Sequence, residues 1–199
     1  MASVAASARS SRQLILSAAL STFDDHGYGT ATMSDIRREA GVSNGSLYHH
    51  FPSKDHVAAA LFAEGVADYQ EGFLAMLAVA ADAEAGIRGG VNFHLGWARR
   101  NQPLARFLLH AMQAGEAAGE RRPASERRPF LREVHGWLRR EAQAGAIVEL
   151  PRDLYYPIWI GPAQELTRQL LGGRVRLPAR DAEHYLADEA WRSLRAKTR

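Results

Sequence analysis

The sequence predicts an all-α protein, a small N-terminal unit of three short helices followed by a larger helical unit, about nine helices in all. Two observations carry that expectation. Apolar residues recur at three-to-four spacing along nearly the whole chain, and no stretch shows the sustained alternation with β-branched enrichment that marks a strand. Capping residues before these runs and Gly or Pro after them cut the chain into helical lengths. With 199 residues, 46% of them hydrophobic and 24% charged, the chain is long enough to bury one or two small cores, and disorder is not expected as its main state.

Taken in order, Leu14/Ile15, Ala18/Ala19 and Phe23 share one face, and Gly27 stops a first helix running from about Ser10 to His26. Thr32 and Asp35 form a capping box, Ile36 and Ala40 turn inward, and Gly41 ends a second helix of about two turns. Ser43 caps a third helix, in which Leu47 and Phe51 share one face while Asn44, Tyr48 and His49 occupy another. Pro52 stops it and Ser53 caps the next, a long helix from Lys54 to about Ala80. A helix from about Asp82 to Arg100 follows, with Ile87, Val91, Leu95 and Ala98 inward, and another follows Pro103. The stretch GEAAGERRPASERRP reads as a mobile surface connection. Phe130, Leu131, Val134, Leu138 and Ala142 mark the next helix, which Gly145 closes. The last two cover about Asp153 to Leu171, interrupted at Gly161 and Pro162, and Asp181 to Ala196. The domain boundary is placed at 53/54: a unit of residues 1–53, with 1–9 as an arm, and a unit of residues 54–199 tied to it rigidly by the helix that starts at Lys54.

Composition excludes several functions. There is no cysteine, so no disulfide, thiolate metal site or cysteine nucleophile is available. No run approaches the roughly 18 apolar residues of a membrane span, and the first residues lack a signal-peptide core. A soluble, cytoplasmic protein with no membrane partner is expected. The net charge of +3 hints at an anionic partner, but Arg9, Arg12, Arg37, Arg38 and Lys54 are matched by Asp24, Asp25, Asp35, Glu39 and Asp55, so placement of charge must decide. No G-x-S-x-G, P-loop, dinucleotide fingerprint or H-E-x-x-H occurs, and neither an enzyme nor a cofactor or metal is expected. An all-helical enzyme or a protein-interaction module is the alternative.

The stretch AGVSNGSLYHHFPSKDHV, residues 40 to 57, is two short helices joined by a glycine turn. Packed under the first helix, this is a helix-turn-helix, whose second helix can lie in a DNA major groove. Gly45 is unusual there, because a glycine in a helix costs roughly 0.5–1 kcal/mol relative to alanine; close approach of DNA is one reason for it, local looseness the other. Tyr48 and His49 reach phosphate oxygens well, as do the free N–H groups beside Ser43 and Asn44. Asn44 and Ser46 are the candidates for base edges. Thr32 both caps its helix and touches phosphate, and His50 is divided between phosphate and packing. Arg9 and Arg12 are read either as a basic arm over the duplex or as tail charge.

Phe23, Gly27, Tyr28, Thr32, Ile36, Ala40, Gly41, Val42, Ser43, Gly45, Leu47, Tyr48, His50, Phe51 and Lys54 stand in the order of a known pattern. On these residues the chain resembles the tetracycline-repressor (TetR) family of transcriptional regulators, most strongly from about Gln13 to Leu61. The resemblance implies a homodimer on an operator in double-stranded DNA, a dimer interface in the last two helices, repression more often than activation, and Lys54 as a phosphate contact. The near-neutral charge of the N-terminal unit is a departure.

In the larger unit, His94, Trp97, Phe107, His110, Trp137, Tyr155 and Trp159 are together candidates for an aromatic-walled cavity taking a small, largely apolar or aromatic effector, although any one of them alone reads first as core. Gly161, Ala163, Leu166, Leu170, Ala187, Trp191 and Leu194 are the candidates for the dimer interface, small residues permitting close approach and large apolar ones supplying burial.

Overall fold

The computed structural model describes residues 10–117, 124–175 and 179–196. Within them the chain forms ten helices and no strand beyond an isolated bridge between Ile147 and Arg195. The first three are α1 (Ser11–His26), α2 (Met33–Ala40) and α3 (Asn44–His50). Each begins on a hydroxyl cap: Ser10, Thr32 and Ser43 accept from the N–H groups of Gln13, Asp35 and Ser46, which satisfies donors that a helix start leaves free. The Thr32–Asp35 pair is the reciprocal box expected of it, and Ser10 with Gln13 makes a second. Gly41 ends α2 at φ 63° and ψ 27°, the left-handed region where a Cβ would be penalised.

Ile15, Ala19, Phe23, Ile36, Leu47 and Phe51 are buried in one cluster, which Val57 and Leu61 of α4 (Lys54–Ala78) complete. This long helix, 25 residues and so roughly 37 Å, continues into a second core, where its Phe73 and Leu77 are buried. Leu104 and Phe107 of α6 (Gln102–Ala117) also pack on the first core, with the rings of Phe23 and Phe107 stacked at 5.7 Å.

The axis of the second unit is α5 (Ala83–Arg100). It packs against α4, α6, α8 (Arg152–Trp159), α9 (Gly161–Leu171) and α10 (Ala179–Leu194), most extensively the last. Two glycines explain how one helix accepts so many neighbours. A Cβ on Gly86 would lie 2.3 Å from the Trp137 ring, and one on Gly90 would lie 2.6 Å from the Trp159 ring. The indoles fill the room the glycines leave, stacked on each other at 5.9 Å, and the Trp159 N–H donates to the Ile87 carbonyl at 2.8 Å. After α7 (Ala124–Gln143) and Gly145, the chain runs beside the end of α10: Val148 donates to the Leu194 carbonyl at 2.8 Å, and Ala196 to the Ala146 carbonyl at 3.1 Å.

Three expectations change. Of the segment read as a connection, residues 118–123 lie outside the described residues, but the chain is helical up to Ala117 and again from Ala124. Its alanines, glutamates and arginines are good helix formers and outweigh Pro129, which sits inside α7. The interrupted helix counted once is two, α8 and α9, separated at Ile160 ahead of Pro162, which gives ten helices in place of nine. Finally, Ala163, Ala187 and Leu194, assigned to a dimer interface, are 1%, 2% and 0% exposed in the single chain. Their small or branched side chains pack inward on the core around α5 and are closed to a partner.

A Gly90→Ala substitution forces a methyl into the Trp159 indole, which is itself buried and hydrogen-bonded. We expect a loss of about 1–3 kcal/mol in urea unfolding, the usual cost of overpacking a filled core.

Candidate nucleic-acid interface

Burial of Leu47 at 0% and Phe51 at 4% orients α3. With these two inward, Asn44, Gly45, Tyr48 and His49 are exposed on the opposite side, Tyr48 at 48%. Ser46 and His50 are half-buried at the flanks, and the His50 ring lies 5.3 Å from that of His49 and 6.4 Å from that of Phe51. Ser43 and Thr32 are exposed, yet their hydroxyls already serve the helix starts; Thr32 also donates to the Asp35 carboxylate at 2.6 Å, and that bond holds the Asp35 carboxyl below its usual range. Nothing lies within 4 Å of the position a Gly45 Cβ would take, so no described contact inside the chain demands a glycine there.

Lys54 is neither a solvated lysine nor a free cation. Its ammonium donates to the carbonyls of Tyr28 at 2.6 Å, Ala31 at 2.8 Å and Gly29 at 3.3 Å, and stands 4.6 Å from the Tyr28 ring centroid. It clamps the turn between α1 and α2 to the start of α4. Beside it the Tyr28 hydroxyl donates to Asp55; burial first, and then this carboxylate, push the phenol up to about 12. Arg12 is not part of a free arm: it pairs with Glu64 and lies 5.6 Å above the Phe51 ring. Arg9 lies outside the described residues.

The seven residues expected to wall a cavity are spread over three apolar clusters and the surface. Trp137, Tyr155 and Trp159 are buried in the cluster around Phe73, with the Tyr155 hydroxyl donating to the Val148 carbonyl at 3.0 Å. Trp97 of α5 is buried against α4 and α6 and donates to Asp68 of α4 at 2.7 Å. Phe107 belongs to the N-terminal core. His110 is exposed, while His94 is buried. The glycines of α5 let the Trp137 and Trp159 indoles stack on each other close against that helix. They were also the unread signal: two of the three glycines in AGIRGG, Gly86 and Gly90, stand opposite Trp137 and Trp159. His94 sits between hydroxyls, with Tyr69 at 2.9 Å from Nδ1 and Thr167 at 3.3 Å from Nε2, and a neutral ring satisfies both by donating from one nitrogen and accepting at the other. Among the described residues no three His, Asp or Glu side chains gather as metal ligands do, and no helix is long and apolar enough to cross a membrane.

A cavity of about 250 Å³ opens elsewhere, between α5, α6, α9 and α10. Its walls include Leu95, Ala98, Arg99, Arg106, Leu166 and Leu170, the last two being residues also assigned to the dimer interface. Sequence reading missed it because four helices each contribute only two to four residues, and α9 and α10 lie far along the chain from α5 and α6.

Residues 15–61 match the family described as bacterial regulatory proteins, tetR family. The chain is 50% identical over 50 residues to the A-factor receptor protein of Streptomyces griseus, covering 25% of this chain and 18% of that protein. It is 30% identical over 112 residues to the HTH-type transcriptional repressor Rv1474c of Mycobacterium tuberculosis, covering 47% of this chain and 60% of the repressor. The matched segments thus span less than two thirds of either relative. Over nearly the whole length, the fold is that of a TetR family transcription regulator from Marinobacter aquaeolei, with a TM-score of 0.74 at 18% identity over 94% of this chain and 96% of that one.

Burial lowers the pKa of His94 from 6.5 to about 4. The unfolded chain therefore binds a proton on this ring that the folded chain refuses, and the associated stability is present above pH 6.5 and lost as the pH falls through about 4. Urea unfolding across that window should show a loss of the order of 3 kcal/mol attributable to this group. The part of the pH slope that disappears in a His94→Gln variant measures it; equal slopes would place the ring in water.

Proposed function

We propose that the chain, whose residues 15–61 match the tetR family of bacterial regulatory proteins, is a sequence-specific DNA-binding transcriptional regulator, a cytoplasmic repressor released from a pseudo-palindromic operator by a small effector and not an enzyme. The observation that carries this reading is the outer face of α3, where Asn44, Gly45, Tyr48 and His49 stand exposed on a helix whose rotation is set by Leu47. Tyr48 and His49 contact phosphates, Asn44 and Ser46 read base edges, and Thr32, Ser43 and His50 flank the backbone. Gly45 is where the backbone of α3 comes closest to the duplex, since nothing inside the chain asks for the missing side chain. Lys54 contributes by fixing the turn beneath α3, its ammonium being held by three carbonyls.

Two copies act together, because a pseudo-palindrome requires two reading helices about one helical turn apart, roughly 34–36 Å. They associate through the outward faces of α8, α9 and α10. Leu154 and Tyr185 are 46% and 69% exposed there, and Gly161 and Trp191 are partly accessible, whereas Ala163, Ala187 and Leu194 are not. The functional division falls at 53/54, with α4 carrying movement of residues 54–199 to residues 1–53.

A gel shift against DNA flanking the protein's own gene tests the reading. If the dimer neutralises about 6–10 phosphates, affinity falls about 10³- to 10⁵-fold between ~50 and ~200 mM salt, and a flat response would remove the interface. Asn44→Ala should relax preference at particular base pairs by ~1–3 kcal/mol in a site selection, while Tyr48→Phe weakens all sequences alike.

Gly45→Ala separates folding from binding. We expect the free protein to gain up to about 1 kcal/mol in urea unfolding and operator affinity to drop. Operator affinity unchanged alongside the gain in stability would show that α3 does not approach the duplex at this residue.

A further inference from the structure

The cavity between α5, α6, α9 and α10 is lined by the apolar residues Leu95, Ala98, Leu166 and Leu170 and by two arginines, Arg99 and Arg106. The two are not equivalent. Arg99 donates at 2.7 Å to Glu183, which also lines the cavity, so its charge is answered within the lining. Arg106 finds its carboxylate outside, on Asp24 in the last turn of α1, donating through Nε and Nη2 to both carboxylate oxygens at 2.8 Å. The lining therefore carries one positive charge in excess, on a side chain whose other commitment ties α6 to the N-terminal unit.

We propose that this cavity binds an amphipathic monocarboxylate whose carboxylate takes Arg106 from Asp24, releasing α6 from α1 and lowering operator affinity; the regulatory half of this rests on the function proposed above. The exchange replaces one forked guanidinium–carboxylate pair by another of the same geometry, so it costs little, and burial of the tail on the apolar lining supplies the favourable balance. Asp24 can give up its partner because its side chain keeps 24% exposure and reaches water. The Arg106 hydrogen bond that depresses the Asp24 carboxyl marks a tight pair, one whose loss α1 registers. Phe107, the next residue of α6, stacks on Phe23 of α1, so the released segment carries the apolar contact with it. From the end of α1 the turn held by Lys54 leads directly to α2 and α3. A volume of about 250 Å³ falls just under the range of roughly 300–1,000 Å³ usual for small-ligand sites, so the tail is short.

The test is calorimetric titration of the full chain with hexanoate, octanoate and decanoate, and with 1-octanol as the neutral counterpart. It is repeated on Asp24→Asn and Arg106→Gln, with thermal melts confirming that each variant folds. Octanoate should bind roughly 10- to 100-fold more tightly than octanol, the worth of a charge-assisted bond. Saturating octanoate should weaken the operator complex about 5- to 150-fold, and operator should weaken octanoate by the same factor. The two variants should move octanoate affinity in opposite directions, Asp24→Asn tightening it by removing the competitor and Arg106→Gln weakening it. An ion pair that merely holds the fold would shift both in the same direction, and that result overturns the proposal. So does equal binding of octanol and octanoate, or operator binding that no carboxylate in the series alters. A protein that binds carboxylates with these variant effects but retains no DNA fragment would overturn the proposed function and leave the cavity assignment standing.

Discussion

Burial of Leu47 is the constraint on which the rest of the N-terminal unit depends. A helix of seven residues lies well below the roughly 12–15 at which an isolated helix is even marginal in water, so α3 exists only because its apolar side is covered. Ile15 of α1, Ile36 of α2 and Val57 of α4 share the cluster that covers it, each at 0% exposure. Because one side must face that cluster, the helix has a single rotation about its axis, and Asn44, Tyr48 and His49 are outward as a consequence. The residues that define the outer surface contribute little to holding it in place.

What was legible in the sequence is what neighbours within four positions determine. The caps at Thr32, Ser43 and Ser53, the left-handed Gly41 and the inward Leu47 all follow from local geometry, and the structure has each of them. Long-range contacts were not legible. Lys54 bonds carbonyls 23 to 26 residues earlier in the chain, and no local pattern announces that its ammonium is already engaged. Small residues misled for a related reason: Ala163 and Ala187 permit close helix approach, and the sequence does not say whether the approaching helix belongs to the same chain. Trp137 and Trp159 were ambiguous because the sequence does not show that Gly86 and Gly90 stand opposite them.

Charge matching in the first sixty residues turns out to be partly long-range as well. Asp24 pairs with Arg106 and Arg12 with Glu64, while Arg88–Asp188 and Arg99–Glu183 join α5 to α10. All of these are partly exposed, and such pairs contribute between about 0 and 1 kcal/mol each. Their effect is on register: they fix which turn of one helix lies against which turn of another, at positions where the apolar contacts alone would tolerate sliding. The near-neutral N-terminal unit therefore commits part of its charge to residues 54–199 of the same chain.

The covering of α5 by α10 has a consequence for the order in which the chain acquires structure. Arg88 and Asp188 are 100 residues apart, and the Val148–Leu194 bond joins the loop after α7 to the end of the last helix. The first core, by contrast, draws on residues up to Leu61 and then on Leu104 and Phe107. As the ribosome delivers the chain from its N-terminus, α1 to α3 can settle long before α5 meets its largest partner, and the buried side of α5 stays open until α10 emerges. Translation that stops in the loop before α10 would release a finished N-terminal unit joined to an adhesive, unfinished body, a species for chaperones and proteases to clear.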